Sequence, residues 1–588
     1  MRWKGYGRVG VVTAIAAGAS LAACGASPDA HSAGGVEVTP SVRAAPPLTL
    51  SSAIRKARDL GPVAPDQPVH FSLSLVSRDE AGLNAQLATG RAISAAEYAT
   101  RFGPDPAAVR AAQRLLNAGS LTSTWHPGEM LLTVAGPASA AQRFLGVSIH
   151  NFLGTSRTPF YAPLYPPAVP QALANVAVSV TGLDDYSSPL TAALLPGDTN
   201  GFTPKDAAAF YDIQPLYDAH LDGTGQTVVF IEWAMPTDQM LQQYAAKFTP
   251  THPLNVQVIT DAADWGAPFA CCTQDWNLAA GEAALDVENV HGVAPGATEV
   301  AYVFSNPSAI PLAIKAIAQK YPHAILSSSI FEHWCENESG AKQDASAEDQ
   351  VISAAAAQGM SIFWAAGDRG AYGCLPNYPK QDAQGNTEIA VVPDPASPGD
   401  TSVGGTVVFL GPGGTYYQEG AWGEPSEQWG GGGGTSTIFS RPAWQNAPGI
   451  PAGMQGRGIP DVSADADSIT GWDVIGPGDP NDATKPFEAP VGGTSAAAPF
   501  WAAITALIDQ DLAGKGLPLV GFANPALYTF AQSPAGLPAP PFHDVTLGSN
   551  LHFAAGPGWD FATGLGTPDV AALTDDFEWY EKAHGTGS

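Results

Sequence analysis

The sequence predicts an α/β fold, a parallel sheet with helices on both faces, preceded by a small α+β domain. From Thr203 onward, short apolar runs typical of strands alternate with helical segments, and the run from Thr227 to Ile231 is typical of a buried strand. This alternation indicates a parallel sheet. Ligands bind such sheets at the carboxyl ends of the strands, so we expect functional residues there.

The elements of the larger domain follow in order along the chain. After the first strand we expect strands at 299–304, 324–329 and 360–365. Helices are predicted near 237–247, 276–290, 308–320 and 346–358.

The smaller domain is predicted over residues 66–185. Alternating apolar residues indicate strands at 70–75, 121–125, 130–134 and 147–152, and helical periodicity indicates helices at 94–102, 106–117 and 138–145. This order predicts a small α+β sandwich, and it contains no cluster of catalytic residues. Residues 186–200 are typical of an exposed linker suited to cleavage.

The first residues have the features of an export signal. Residues 1–23 contain a basic start and the short apolar run Val9 to Ala19, which is too short for a good transmembrane span. Leu21-Ala22-Ala23-Cys24-Gly25 resembles a bacterial lipoprotein signal, with Cys24 as the lipidated residue. The alternative is plain secretion. Residues 24–65, rich in Ala, Pro, Ser and Gly, are predicted to form a flexible tether.

Charge excludes some classes of partner. Charged residues make up 14% of the 588 residues, and 55 acids against 26 bases give a net charge of −29. This balance argues against nucleic acid or an anionic membrane as a partner. It is a weak indication of an acidic working environment, although ordinary solubility charge explains it equally well.

Four cysteines remain after Cys24. Cys335 and Cys374 each follow a predicted strand, so they can meet at one sheet edge in an exported chain. Cys271 and Cys272 are adjacent and have no clear assignment. No CxxC or His-rich spacing indicates zinc.

The most informative stretch is Val491 to Pro499, which contains Gly492-Gly493-Thr494-Ser495. A serine that follows two glycines at the start of a helix has free N–H groups and the positive end of the helix dipole nearby. Those groups can stabilise an oxyanion, so Ser495 is a candidate nucleophile. The alternative is a Ser or Thr cap on a packed helix.

A nucleophilic serine needs a base, and two candidates lie on one predicted helix. His291 would suit a subtilisin-type Ser-His-Asp hydrolase, although the first strand ends in Glu232-Trp233 without the Asp-x-Gly of that family. Glu282 and Asp286 stand at i and i+4 and share one helix face, with His291 about 180° round from Glu282. The alternative for the acid pair is a solvated acidic face.

A third acid and a glycine run complete the candidates. Asp368 follows a predicted strand between two glycines, which places it at the functional rim of the sheet. The alternative is a turn Asp or an ion-pair partner of Arg369. The run Gly430 to Gly434 is predicted to be a mobile loop beside the site, or a plain linker.

Together these motifs resemble the sedolisin family, the serine-carboxyl peptidases. The resemblance covers about residues 66 to 575 and rests on five motifs and one stretch of the smaller domain, namely Glu282-x-x-x-Asp286, Ala366-Gly367-Asp368-x-Gly370, Ser402-Val403-Gly404-Gly405-Thr406, Pro460-Asp461-Val462-Ser463-Ala464, Gly493-Thr494-Ser495-x-x-x-Pro499 and Tyr98-Ala99-Thr100-Arg101-Phe102-Gly103-Pro104.

The resemblance implies both a fold and a mechanism. It implies a subtilisin-like peptidase domain over 201–588 and a ferredoxin-like activation propeptide over 66–185. By family analogy Ser495 attacks the peptide carbonyl, Glu282 takes its proton, Asp286 supports Glu282, and protonated Asp368 donates to the oxyanion. A carboxylate is a useful base only in acid, and only a neutral acid can donate a hydrogen bond, so the enzyme is expected to be acid-active.

The family also implies one structural Ca²⁺ near the C-terminus. The ligands would be the side chains of Asp544 and Asp560 and the backbone oxygens of Val545, Gly556 and Gly558. Hard oxygen ligands suit calcium. From the residues alone, the alternative is an Asx turn and a Gly-Pro loop.

One departure concerns residues 327–331, Ser-Ser-Ser-Ile-Phe, where the family often has Trp and Gly. It puts part of an extended hydrogen-bond network in question. Glu232 resembles a family acid near that network.

The expected product is an exported, extracellular or cell-surface monomer. Its substrates are proteins or peptides, its own propeptide is an intramolecular inhibitor, and self-cleavage between 186 and 200 would leave the Cys24 anchor on the propeptide. The alternatives are an inactive binding protein on the same fold and a Ser-His-Asp hydrolase.

Overall fold

Two successive regions form the part of the chain that the structure describes. The computed structural model describes residues 50–154, 159–187, 201–260, 265–269, 271, 273–374, 388–425, 429–477 and 485–584, without the side chains of residues 51, 52 and 274. The predicted signal peptide, Cys24 and most of the predicted processing linker lie outside these residues. No helix within the described ranges combines the length and apolar character needed to cross a bilayer.

The front region is built on a four-stranded antiparallel sheet. Its helices are α1 (Leu50–Lys56), α2 (Glu80–Leu87), α3 (Ala95–Arg101), α4 (Pro106–Ala118) and α5 (Ala138–Leu145), and its strands are β1 (Arg58–Pro62), β2 (Pro68–Leu75), β3 (Thr122–Thr124), β4 (Leu131–Pro137), β5 (Ile149–Leu153), β6 (Pro159–Pro163) and β7 (Ala177–Thr181). The sheet order is β3-β4-β2-β7, which is the ferredoxin-like order. Alternate residues such as Leu73, Leu132 and Val180 point into its core because strand side chains alternate between faces.

The front region begins earlier than predicted. Residues expected in the flexible tether form α1 and β1, and β1 pairs with β5 in a second, three-stranded sheet with β6. Cross-strand pairing with a distant segment gives β1 its order, and its own composition does not show this.

The larger region contains the predicted parallel sheet. Its helices are α6 (Pro204–Phe210), α7 (Gln214–Asp218), α8 (Asp238–Phe248), α9 (Gln274–Val293), α10 (Ile310–Lys320), α11 (Ala341–Ala357), α12 (Thr494–Gly514), α13 (Asn524–Gln532) and α14 (Val570–His584). The sheet is formed by β8 (Thr227–Glu232), β9 (Val256–Ile259), β10 (Thr298–Val303), β11 (Ile325–Ser328), β12 (Ser361–Ala365), β13 (Thr401–Leu410), β14 (Tyr416–Ala421) and β19 (Val462–Asp465).

The remaining strands form short pairs around the sheet. They are β15 (Gly423–Glu424), β16 (Trp429–Gly430), β17 (Gly434–Ser440), β18 (Gly456–Ile459), β20 (Trp472–Pro477), β21 (Pro486–Val491), β22 (Phe542–His543) and β23 (Thr567–Pro568). The order of the main sheet is β14-β13-β12-β11-β8-β10-β9, and β19 pairs with β13. All pairs in it are parallel except β13 with β14.

Helices cover both faces of this sheet, as predicted. Helix α12 packs on β8, β11, β12, β13 and β19 and lies beside α9, whereas α10 and α11 form a second pair. The α/β fold class, with a subtilisin-like arrangement and a smaller α+β region in front, is therefore confirmed.

The two regions share an extensive contact centred on α11. Helix α11 packs against β7 and α2, and Leu83, Tyr98 and Phe102 of the front region belong to the same apolar cluster as the core of the larger region. Polar contacts add to it, because Lys315 Nζ lies 2.9 Å from Glu129 Oε2 and the Ile93 N–H donates to Ala357 O at 2.9 Å.

Candidate active site

Three neighbouring strands end at one edge of the sheet, and each delivers a polar residue there. Strand β8 ends at Glu232, Ser329 follows β11, and Asp368 lies just beyond β12. These strands are adjacent in the order β12-β11-β8. All three side chains are buried. The site therefore lies at the carboxyl ends of the strands, where an α/β sheet is expected to bind ligands.

Ser495 lies in the first turn of α12, where the preceding residues allow a sharp entry into the helix. Gly493 has φ of 111°, a conformation that residues with a Cβ rarely adopt. Ser495 is 2% exposed. Pro499 has no N–H to bond the Ser495 carbonyl, and Ser329 Oγ lies 3.5 Å from that carbonyl oxygen.

Asp368 is held beside Ser495 through the neighbouring threonine. The Thr494 N–H donates to Asp368 Oδ1 at 2.7 Å, and Thr494 Oγ1 donates to the same oxygen at 2.8 Å. Burial raises the pKa of Asp368, while the two Thr494 hydrogen bonds oppose the rise. A neutral Asp368 can donate a hydrogen bond from its other oxygen.

The acid pair on α9 faces the interior and not solvent. Glu282 is 4% exposed and Asp286 is fully buried. Burial raises the pKa of Asp286 to about 7, and the Ser329 hydroxyl, which donates to Asp286 Oδ1 at 2.9 Å, opposes this shift. Burial, Asp286 and Glu282 raise the pKa of Glu232 well above its ordinary value. The solvated acidic face considered above is therefore wrong.

Helices α9 and α12 are joined near the site by a side chain. Asn289 Nδ2 donates to Ala496 O at 2.8 Å, and both residues are buried. This bond fixes the helix that carries Glu282 and Asp286 against the helix that carries Ser495. An unpaired buried carbonyl or amide would be costly, so the contact limits sliding between the helices.

His291 has structural partners on both ring nitrogens. Its Nδ1 lies 2.9 Å from Glu299 Oε1 and its Nε2 lies 3.0 Å from His252 O. The Glu299 carboxylate raises the pKa of His291, against the effect of burial. Neither ring nitrogen is left to act as a base, so the Ser-His-Asp arrangement has no support in this geometry.

The glycine run packs tightly beneath the Asp368 loop. Residues 430–434 are buried, and the Gly432 N–H donates to Gly367 O at 2.6 Å. A side chain at Gly432 would collide with the Ala366 carbonyl oxygen, so close backbone approach requires glycine there. The run therefore lies beside the Asp368 loop, as predicted, but it is a buried, hydrogen-bonded segment and not a plain linker.

The predicted meeting of Cys335 and Cys374 is confirmed. They form a disulfide with Cα atoms 4.9 Å apart, which links the segments that follow β11 and β12. Next to it, the Arg369 guanidinium stacks 3.7 Å from the centre of the Trp334 ring. Cys272 lies outside the described residues.

The candidate calcium loop brings its two segments together. Asp544 accepts from the Gly558 N–H, with its carboxylate oxygens 3.1 and 3.0 Å away, and Asp560 Oδ2 accepts from the Gly556 N–H at 2.8 Å. Asp560 Oδ1 also accepts from the N–H groups of Ala562 and Thr563. Both carboxylates therefore accept backbone N–H groups, and because a carboxylate oxygen can accept more than one contact, they also remain oxygen ligands of the type that calcium takes.

The assignment of Ser495, Glu282, Asp286 and Asp368 as catalytic stays a prediction, and sequence reasoning missed the roles of two residues that make contacts around them. Ser329 joins Asp286 to the start of α12, and Asn289 joins the two helices. Ser329 stands directly after a predicted strand, and this position is the signal that could have identified it. Asn289 has no comparable signal, because its partner is a backbone carbonyl on a distant helix.

Both regions are similar to known protein families. Residues 55–186 match the family described as pro-kumamolisin, activation domain, and residues 277–517 match the subtilase family. Kumamolisin of Bacillus sp. (strain MN-32) is 29% identical over 549 residues, covering 87% of this chain and 92% of that protein. Sedolisin of Pseudomonas sp. (strain 101) is 27% identical over 571 residues, covering 91% and 90%.

A solved structure is also similar. The structure of Pseudomonas sedolisin, a serine-carboxyl proteinase complexed with two molecules of pseudo-iodotyrostatin, superposes with a TM-score of 0.53 at 26% identity. It covers 66% of this chain and all of that one.

The Ser329–Asp286 hydrogen bond gives a test of the site's electrostatics. Ser329→Ala is expected to lower the free energy of unfolding by about 1–3 kcal/mol at pH ~8, where Asp286 is ionised and needs the donor. The decrease in the free energy of unfolding should be smaller at pH ~4, where Asp286 is neutral. Urea unfolding at both pH values measures it, in chains that also carry Ser495→Ala so that self-processing does not interfere.

Ser328→Ala is the matched control. Ser328 Oγ is buried and has no hydrogen-bond partner among the described residues, so its removal should have the same effect at both pH values. Equal losses at the two pH values for Ser329→Ala would contradict the assignment.

Proposed function

Because the chain belongs to the sedolisin family of serine-carboxyl peptidases, we propose that it is an acid-active peptidase made as an exported, self-processing precursor. Ser495 is the nucleophile, Glu282 the general base, Asp286 its supporting acid and Asp368 the donor to the oxyanion. A serine-type peptidase with an activation propeptide is what its relatives support.

One observation carries the assignment of these residues. Acids from two directions meet at the first turn of α12, since Asp368 binds Thr494 and Asp286 reaches the Ser495 carbonyl through Ser329. The first turn that carries Ser495 is thus contacted from two sides, by Asp368 as the proposed proton donor and, through Ser329, by Asp286, which lies one helical turn from the proposed base Glu282. That division of roles is what acyl transfer by a serine requires.

Asp286 and Glu232 are neutral in acid. Burial raises the pKa of Asp286 to about 7 and that of Glu232 well above its ordinary value. Under those conditions neither adds a negative charge that would oppose ionisation of Glu282, the proposed base. As the pH rises through about 7, ionisation of Asp286 adds a charge to a water-poor site.

Asp368 must be protonated to donate to the oxyanion. Its raised pKa extends the neutral form to higher pH than an ordinary aspartic acid allows, and the donor is lost once the pH rises through that pKa. The Thr494 hydrogen bonds fix Oδ1, which leaves Oδ2 to carry the proton. Loss of one such donor typically costs about 10²–10³ in kcat.

The first test compares variants on a denatured protein substrate from pH ~3 to ~8. Ser495→Ala and Glu282→Gln are each expected to lower kcat/KM by about 10³-fold or more, because they remove the nucleophile and its base. The parent should be active only at the acid end. The readout is the initial rate of peptide release after acid activation.

His291→Gln is the control, since it changes a buried basic residue that the mechanism does not use. Activity at neutral pH that survives Glu282→Gln and is lost in His291→Gln would overturn the proposal in favour of a Ser-His-Asp hydrolase. A parent inactive at every pH, although cleaved to its mature form, would favour the inactive binding protein.

The front region is proposed to block the enzyme until it is cleaved. Its last described residues lie along the larger region, where Ser187 Oγ donates to Ser305 O at 3.1 Å and Asn306 Nδ2 donates to Asp184 O at 3.1 Å. The loop after β11 is close by, because Ser308 Oγ contacts both Asp184 and Glu332. A segment held here is suited to cover the site edge.

Acidification is expected to release a soluble fragment of about 40 kDa from a membrane-bound precursor, a size that follows from the length of residues 201–588. Cleavage between 186 and 200 separates the enzyme from the Cys24 anchor. Fractionation and immunoblotting before and after acid treatment measure this release. The Ser495→Ala variant should stay intact and membrane-bound in acid. The Cys24→Ser variant should be soluble before acid treatment. A parent protein that stays intact in acid would contradict the proposal.

We further propose that Asp544, Val545, Gly556, Gly558 and Asp560 hold one structural Ca²⁺. The contact of Asp544 with Gly558 supports it, because it brings the two segments together, and the contact of Asp560 with Gly556 fixes the second segment. Bound calcium supplies a positive charge that offsets the two carboxylates, and the ion has no part in bond cleavage.

Removal of calcium is expected to lower the thermal unfolding temperature. Ligand at about 100 times its Kd stabilises a protein by about 2.7 kcal/mol, so the shift between excess Ca²⁺ and a chelator should be several degrees. Differential scanning fluorimetry measures it. The Asp544→Asn variant should lose the calcium-dependent shift in unfolding temperature. Asp575 is exposed, and the Asp575→Asn control should keep that shift. A shift in Asp544→Asn equal to that of the parent would refute the site.

A further inference from the structure

A second cluster of ligand-type side chains lies outside the proposed catalytic group and the calcium loop. Glu332, His333 and Asp344 each offer one ligand atom, and these atoms lie within 4.8 Å of one another. Glu332 and His333 are buried, and the Asp344 side chain is 18% exposed. None of them has a role in the chemistry assigned above.

One oxygen of this cluster lacks a partner. Glu332 is 7% exposed, and its Oε2 is buried without a hydrogen-bond partner among the described residues. Its other oxygen accepts from Ser308 Oγ at 2.8 Å, which fixes the orientation of the carboxyl group. A buried carboxylate oxygen without a donor is costly, so Oε2 must hold either a proton or a ligand from outside the protein chain.

His333 lies between two carboxylates, one of which can share a cation with its Nε2. His333 Nε2 lies 2.9 Å from Asp344 Oδ2, and Nδ1 lies 3.3 Å from Glu338 Oε2. A histidine that binds a metal through one nitrogen commonly donates its other N–H to a carboxylate, which sets the tautomer. Glu338 is placed for that supporting role, and Ser308 has the same role for Glu332.

The cluster opens onto a cavity with space for the ligand. A cavity of about 300 Å³ is lined by the three side chains, by Ser308 and, from the front region, by Asp184. The other basic residue on its wall is Arg55, which is exposed. Carboxyl groups therefore outnumber basic groups around this cavity, and the imbalance favours a bound cation.

We propose that Glu332, His333 and Asp344 bind one divalent cation of the zinc type, with water from the cavity completing its coordination. One imidazole and two carboxylates are ligands that zinc takes in sites with three protein ligands, whereas calcium takes oxygen ligands only. Glu332 and His333 lie in the loop after β11, whereas Asp344 lies in the first turn of α11. No compact metal-binding spacing therefore marks the three residues in the sequence. The inference does not depend on the proposed peptidase mechanism.

The test measures zinc content directly on the full-length chain. Protein carrying Ser495→Ala, to keep the precursor whole, is stripped with a chelator and dialysed at neutral pH against Zn²⁺ in excess Ca²⁺, which fills oxygen-only sites. The chain is expected to retain about one zinc, measured by inductively coupled plasma mass spectrometry. His333→Gln and Asp344→Asn should each raise the Kd for zinc by at least about tenfold.

His126→Gln is the matched control, because His126 also contacts a carboxylate, Glu129, but its side chain is 73% exposed and lies outside the cluster. It should bind zinc as the parent does. Circular dichroism checks that each variant is folded. If His333→Gln is unfolded, the zinc affinity of Asp344→Asn, whose side chain is partly exposed, tests the proposal instead. Absence of zinc in the parent, or unchanged affinity in a folded cluster variant, overturns the proposal.

Discussion

The packing of α9 beside α12 in a water-poor interior is the constraint on which the site depends. The hydrogen bond from Asn289 to Ala496 O joins the two helices, and Asp286 reaches the first turn that carries Ser495 through Ser329. The sheet adds the third direction, because the ends of β8, β11 and β12 meet the same place. A shift of either helix would separate groups that act only at hydrogen-bond distance.

Burial of this arrangement changes the chemistry of its acids. An exposed aspartic acid is ionised at most physiological pH values, whereas Asp286 at this depth has a pKa raised to about 7. The local donors, Ser329 and Thr494, oppose that rise without cancelling it. Below pH ~7 Asp286 is therefore neutral near the helix turn that carries Ser495, whereas a Ser-His-Asp hydrolase depends on an imidazole and an ionised carboxylate.

Structural features that depend on the local sequence pattern could be predicted from the sequence. Apolar runs such as Thr227 to Ile231 and the i, i+4 spacing of Glu282 and Asp286 predicted the sheet and the helix face correctly. The sequence was insufficient where a residue's environment comes from distant segments. The order of β1 depends on β5, the burial of Gly432 depends on the Asp368 loop, and Glu332, His333 and Asp344 meet only after the chain has folded.

The shared apolar contact between the front region and α11 would outlast the proposed cleavage. Leu83, Tyr98 and Phe102 are buried in the same cluster as the core of the larger region, so a cut in the linker would break a covalent bond and leave this surface covered. The two fragments would then form a complex with its own dissociation constant. Release would be a bimolecular equilibrium that dilution favours and that a high local concentration of fragments opposes.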